Sequence, residues 1–163
     1  MILVHAVGSY CAVLALCIIF CVPKRYLNLS SIVGAIGWVI YTWAGKYTGN
    51  EMLSIFLAAL VVSVTSHIFA RWKKAPVTLF LIPGVLPLVP GIGMYRIVYY
   101  MISEKESHLS SYYFVYTLQM AGMIAIAIFI TDTFFKAFSH QIRKKKKAEN
   151  TILSVKETEK RCR

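Results

Sequence analysis

Few residues in this chain have the type and spacing to do chemistry, and most of them sit in one apolar stretch. LFLIPGVLPLVPGIGMYR, residues 79–96, holds Pro83, Pro87 and Pro90 together with Gly84, Gly91 and Gly93, and it ends on Arg96. Each proline lacks a backbone N–H and clashes with the carbonyl four residues earlier. A helix drawn through the stretch would therefore release the carbonyls of Leu79, Pro83 and Leu86. The two Pro-Gly pairs, 83–84 and 90–91, are seven positions apart and fall on nearly one helix face. Bare carbonyls can meet a small-molecule substrate, and a guanidinium beyond them can meet its carboxylate. Pro83, Gly84, Pro87, Pro90, Gly91, Gly93 and Arg96 are accordingly the candidate substrate-binding residues. The plainer alternatives are a structural helix with a kink, and an arginine that snorkels to the membrane interface.

Proton chemistry has two candidates. Asp132 is the only acidic residue within an apolar block, and a buried charge is costly enough to imply a role. Lys136 follows it at i+4, so a helix-end ion pair is the competing reading. His67 lies one turn from the end of its block and could relay protons or be a hydrogen-bonded structural histidine. Gln119, Thr117 and Ser63 are expected to make polar contacts between helices.

Other chemistries lack their residues. His5, His67, His108 and His140 have no second histidine at ligand spacing, and HExxH, GxSxG and P-loop patterns are absent. Cys11, Cys17, Cys21 and Cys162 show no CxxC spacing. The expectation is no enzyme, no catalytic residues, no metal, no cofactor and no disulfide.

The elements that position these residues are membrane spans. The chain has 163 residues, 58% of them hydrophobic and only 15% charged, with a mean hydropathy of +0.62. Apolar residues come in long blocks without the polar faces that a soluble helical bundle needs. Five blocks can be placed: Met1–Val22, Leu29–Ala44, Met52–Ala70, Val77–Met101 and Tyr113–Phe138. The expected fold is an all-α membrane protein of about five transmembrane helices, the fourth interrupted by proline and glycine. Residues 1–138 form the polytopic domain and 139–163 a basic tail. Met1–His5 has no lysine or arginine and CVPKR is no cleavage site, so the first block reads as a retained span.

Charge sets the orientation. Lys24 and Arg25 follow the first block, Arg71, Lys73 and Lys74 the third, and the tail carries the run Lys144–Lys147 among others. The remaining loops hold only Lys46 beside Glu51, and Lys105 between Glu104 and Glu106. Basic residues favour the cytoplasmic side, which predicts an external N-terminus and a cytoplasmic C-terminus. Much of the net charge of +11 sits in the tail beside the last span, where it acts as a topology signal drawn to anionic lipid. No base-reading module accompanies it, so no nucleic-acid partner is expected.

FCVPKRYL, GAIGW and ARWKKAPVTLFLIPGVLPLVPGIGMYR together give the chain a resemblance to the threonine/serine exporter family, over about Val7 to Phe138. The last of these runs is long and specific. The chain is similar to the C-terminal membrane half of that family, which occurs as one chain with two halves or as two separate proteins. The resemblance implies the small subunit of a two-component secondary transporter in the cell inner (plasma) membrane. Its partner would be a second membrane subunit matching the N-terminal half, and its export of threonine, serine or related small organic acids would be proton-coupled. An odd number of spans fits this independently, because a second five-span unit joined to it would sit inverted. The alternatives are a scaffolding membrane subunit with no substrate site, and an exporter of a dicarboxylate such as succinate.

Overall fold

The computed structural model describes the backbone of residues 2–102 and 107–161, and the side chains of 4–102 and 109–138. Glu104, Lys105, Glu106 and Cys162 lie outside the described residues, as do the side chains of the basic tail from 139 onward. Six α-helices run in order: α1 (Ile2–Ile19), α2 (Lys24–Thr48), α3 (Glu51–Lys73), α4 (Thr78–Val85), α5 (Gly91–Ile102) and α6 (Ser107–Arg161), with a 3₁₀ turn at Leu86–Leu88. No strand occurs among the described residues.

Helices α2 and α3 and the 109–138 part of α6 are each long and apolar enough to cross a membrane. The pair Thr78–Leu88 and Gly91–Ile102 qualifies as a fourth crossing, bent by 50°. Val4–Ile19 is apolar but shorter than a full span. This arrangement is roughly consistent with five spans, and the protein is a multi-pass helical membrane protein. Large exposed apolar side chains such as Ile19, Ile82, Val98, Leu118 and Phe129 suit contact with lipid tails.

Two of the turns repeat one device. Cys21 (φ 52°) ends α1 and Lys74 (φ 51°) ends α3, each in the left-handed region. Val22 N–H then donates to the Cys17 carbonyl at 3.0 Å, and Ala75 N–H to the Ala70 carbonyl at 3.0 Å. Pro23 and Pro76 follow two positions later and prevent the helix from resuming its old course. A left-handed non-glycine residue costs about 1–2 kcal/mol, and the recovered carbonyl bonds offset that cost. At the other end of the bundle Gly49 (φ 61°) closes α2, and the Asn50 side chain accepts from Met52 N–H at 3.0 Å to open α3. The structure thus makes Glu51 the first residue of a span, where the sequence reading had placed it in a loop.

The first compact unit, Met1–Phe129, is organised around α2, which packs on α1, α3 and α4. Its buried face is lined with small residues: Ser30, Ser31, Gly34, Gly37 and Ala44. A Cβ at Gly37 would stand 2.3 Å from Val62 Cγ2, and one at Gly34 would stand 2.5 Å from Val13 Cγ2. Without a hydrophobic driving force between helices in lipid, this closeness is what earns dispersion contact. Val33, Ile55, Ala58, Ala59, Val62, Leu88, Met120, Ile124 and Ala127 form the main buried cluster. The second unit, Ile130–Arg163, is the remainder of α6. Within it Lys136 and Asp132 form an ion pair at 2.6 Å.

Candidate functional site

The proline-rich stretch does not break where its first proline stands. Pro83 lies inside α4 and is fully buried. The Leu79 carbonyl that it deprives of a helical donor receives the Ser30 hydroxyl from α2 at 2.9 Å. Gly84 beside it is buried against the same wall, where a Cβ would sit 2.9 Å from Val33 Cγ1 and 3.1 Å from Val62 Cγ1. Helicity therefore survives Pro83 because a hydroxyl from a neighbouring helix replaces the missing N–H. This first Pro-Gly pair is occupied by packing.

The break comes at the second half of the stretch. Leu86–Leu88 tightens to a 3₁₀ turn, and Val89 becomes extended (φ −63°, ψ 130°), the conformation that a following proline favours. The Leu86 carbonyl, freed by Pro90, accepts from Val89 N–H at 3.1 Å. Helix α5 then starts at Gly91, and Met94 N–H returns to the Pro90 carbonyl at 3.2 Å. Gly93 faces α6 and leaves room for Thr117, whose Oγ1 would be 2.4 Å from an added Cβ.

A cavity of about 490 Å³ opens at this break. Pro87, Leu88, Val89, Pro90, Gly91, Ile92 and Arg96 supply one wall. Trp38 and Tyr41 come from α2, Glu51 and Ile55 from α3, and Tyr116 and Met120 from α6. All of these elements meet at the end of the bundle where α2 finishes and α3 begins. The charges in the cavity are one of each sign. Glu51 accepts the Tyr116 hydroxyl, whereas Arg96 donates to the Tyr113 hydroxyl at 3.4 Å and lies 5.2 Å over that ring. Among the described residues the two charges are held by tyrosines and not by each other. Tyr113 is itself stacked on Tyr100 with centroids 5.4 Å apart, and the Ser110 hydroxyl donates to the Ile97 carbonyl at 3.2 Å, so α5 and α6 hold Arg96 between them. A smaller hollow of about 300 Å³ lies toward α1, lined by His5 and Ser9 among others, and shares Trp38 and Pro87 with the larger one.

Of the seven candidate substrate residues, Pro87, Pro90, Gly91 and Arg96 line the cavity together. Pro83, Gly84 and Gly93 instead sit at helix–helix contacts. Asp132 is paired with Lys136 in the second unit, and His67 is buried within α3. His67 does not line the cavity. Ser63 and Thr117 are buried with no hydrogen-bond partner, and Gln119 is exposed. Contacts from side-chain hydroxyls to neighbouring helices are made instead by Ser9, Ser30, Ser110 and Tyr116, and by Thr48 with Ser54.

Reading the sequence missed Glu51, Tyr41, Tyr116 and Trp38. Their signal was topological. Tyr41 lies in the last third of one span, Glu51 starts the next, Arg96 nears the end of the fourth and Tyr116 the start of the last, so alternating direction brings all four toward one end of the bundle.

A multi-pass helical bundle with a two-signed cavity at an interrupted span has the architecture of a membrane transporter. Residues 5–134 match the family described as Threonine/Serine exporter, ThrE, and the chain belongs to that family. No solved structure matches the chain.

Proposed function

We propose that this chain is the small subunit of a two-component, proton-coupled secondary transporter that exports threonine, serine or related small amino acids. The observation that carries the reading is the cavity at the second Pro-Gly pair, with Arg96 on one wall and Glu51 on another. An amino acid carries a carboxylate and an ammonium on adjacent atoms, and such a site offers each an opposite charge and tyrosine hydroxyls besides. Its volume of about 490 Å³ leaves room for a small side chain. A dicarboxylate such as succinate would place its second carboxylate in a cavity that already holds Glu51. The family match supports export, and the bend at the cavity supports a substrate site over a scaffolding role.

The partner in this proposal is a membrane protein carrying the family's N-terminal half, docked in inverted orientation. The N-terminus lies outside and the basic tail lies in the cytoplasm against anionic lipid, in the inner (plasma) membrane. The cavity then opens toward the outer end of the bundle, where an exporter releases its cargo. The test is export of threonine, serine and succinate from a host lacking homologues, with this chain alone and with its partner half. Threonine or serine export that needs both proteins bears out the proposal. Export by this chain alone, or of succinate only, contradicts it. Labelling of a cysteine placed at Lys46 and of Cys162 from opposite faces checks the orientation.

A further inference from the structure

Export is coupled to protons most directly by a group that binds a proton in one half of the cycle and substrate in the other. His67 does not touch the cavity. Asp132 is engaged by Lys136 at 2.6 Å and belongs to the second compact unit. His67 is sixteen residues from Glu51 along α3, roughly 24 Å of helix, and is buried at the far end. Glu51 is the carboxylate that does line the cavity.

We infer that Glu51 is the site at which the substrate's ammonium group and the coupling proton replace one another. The inference rests on the proposed amino-acid exporter. Its geometry is specific: Glu51 is the first residue of α3, fixed by the Asn50 cap behind it, and its Oε2 accepts the Tyr116 hydroxyl. The titratable and charged groups that face it are Tyr41 from α2, Arg96 from α5 and Tyr116 from α6, with Tyr112 stacked on Tyr116. Lysine Lys46 is exposed on the last turn of α2 and does not line the cavity. A guanidinium keeps its charge and a phenol carries none across the physiological pH range. That leaves Glu51 as the one group there whose charge a proton can cancel.

The exchange balances. With Glu51 ionised, an ammonium N–H donates to its free oxygen while Arg96 holds the carboxylate end. A proton from the outer solution adds to a Glu51 oxygen, the carboxyl becomes neutral, and the ammonium departs with its own protons. When the site next faces the cytoplasm, the proton leaves to water and a new ammonium takes its place. The zwitterion has no net charge, so each cycle moves one positive charge inward as one amino acid moves out.

The experiment uses the complete two-component complex, purified and reconstituted, with threonine as the probe. For the parent, threonine affinity falls as pH falls, by up to about tenfold per pH unit, the limit for one proton competing at one site. Adding threonine to the weakly buffered complex releases protons. Glu51→Gln binds threonine more weakly, releases no protons and loses the pH dependence, and export no longer follows the proton gradient. Glu51→Asp keeps a titrating carboxylate, so it retains proton release and pH dependence at lower affinity. It serves as the deciding variant if Glu51→Gln does not accumulate. Proton release and a pH profile unchanged in Glu51→Gln, or a Glu51→Asp complex that binds threonine with no pH dependence, would overturn the assignment of Glu51 alone. A parent complex that neither binds nor moves threonine or serine would overturn the exporter reading, and the coupling site with it.

Discussion

The two Pro-Gly pairs of one span are chemically alike and seven residues apart, yet the protein treats them differently. At Pro83-Gly84 the helix continues. The carbonyl stripped of its donor is supplied with the Ser30 hydroxyl, and the missing Cβ of Gly84 is the space into which Val33 and Val62 pack. At Pro90-Gly91 the chain turns extended, bends by 50° and borders a cavity that also holds Glu51 and Arg96. Proline in a span is therefore ambiguous by itself. What decides its effect is whether a neighbouring helix brings a donor to the vacated carbonyl. Where one arrives, the proline is absorbed into packing. Where none does, the span breaks and an opening forms that polar groups from other helices can share.

The largest expected effect is at the open pair's arginine. Arg96→Ala removes the cation of the cavity, and threonine affinity should fall by at least about thirtyfold at unchanged protein level, consistent with the roughly 2–5 kcal/mol of a truncated charge partner. Arg96→Lys keeps the charge and loses the planar fork, so a smaller loss of about tenfold is expected. Both are read from concentration-dependent export with the partner half present.

Gly84→Val attacks the packed pair. Its added methyls meet two valines at a contact already closed, and overpacking of this kind costs about 1–3 kcal/mol. Membrane abundance and thermal stability in detergent should drop, while export per molecule stays near the parent. A Gly84→Val protein that accumulates normally but transports poorly would move the functional site toward Pro83.

A double-mutant cycle sharpens the same half. Ser30→Ala alone leaves the Leu79 carbonyl unpaired in the bundle and should cost about 1–3 kcal/mol. Pro83→Ala restores an N–H at position 83 that can bond that carbonyl. The loss on Ser30→Ala should therefore nearly vanish in the Pro83→Ala background. Equal losses in both backgrounds would show that the hydroxyl does not stand in for the proline.

Asp132→Asn should have the smallest effect. Its exposed partner Lys136 lies one turn away, and such i,i+4 pairs contribute about 0.3–0.5 kcal/mol. Stability and the pH dependence of export should both remain close to the parent.

The all-helical membrane fold was legible because lipid demands long apolar blocks, and the fourth block announced its interruption by composition. The position of the break was not legible. Ser30, the residue that rescues the helix at Pro83, is 49 positions away, and no local pattern connects it with Leu79. Glu51 was hidden by its setting beside Lys46 and Gly49, which reads as a turn, although Asn50 caps a span that begins with it. Tyr116 sits among several tyrosines of α6, and only its meeting with α3 singles it out. Asp132 and His67 drew attention as rare polar residues in apolar blocks, whereas the cavity formed at the helix ends.

The central claim is that the second Pro-Gly pair is part of the mechanism and the first is part of the architecture. The most direct measurement is export rate per molecule in membrane, with both halves present, for Pro83→Ala and Pro90→Ala side by side. Removing Pro83 from the interior of α4 favours the helix by roughly 3 kcal/mol in soluble hosts, and removing Pro90 adds a backbone donor at the break between Leu88 and Gly91, so neither variant should fail to accumulate. The account expects Pro83→Ala to transport at close to the parent rate and Pro90→Ala to transport far more slowly, because a straightened span closes the cavity between Glu51 and Arg96. Parent-like transport by Pro90→Ala, or a loss confined to Pro83→Ala, would contradict it.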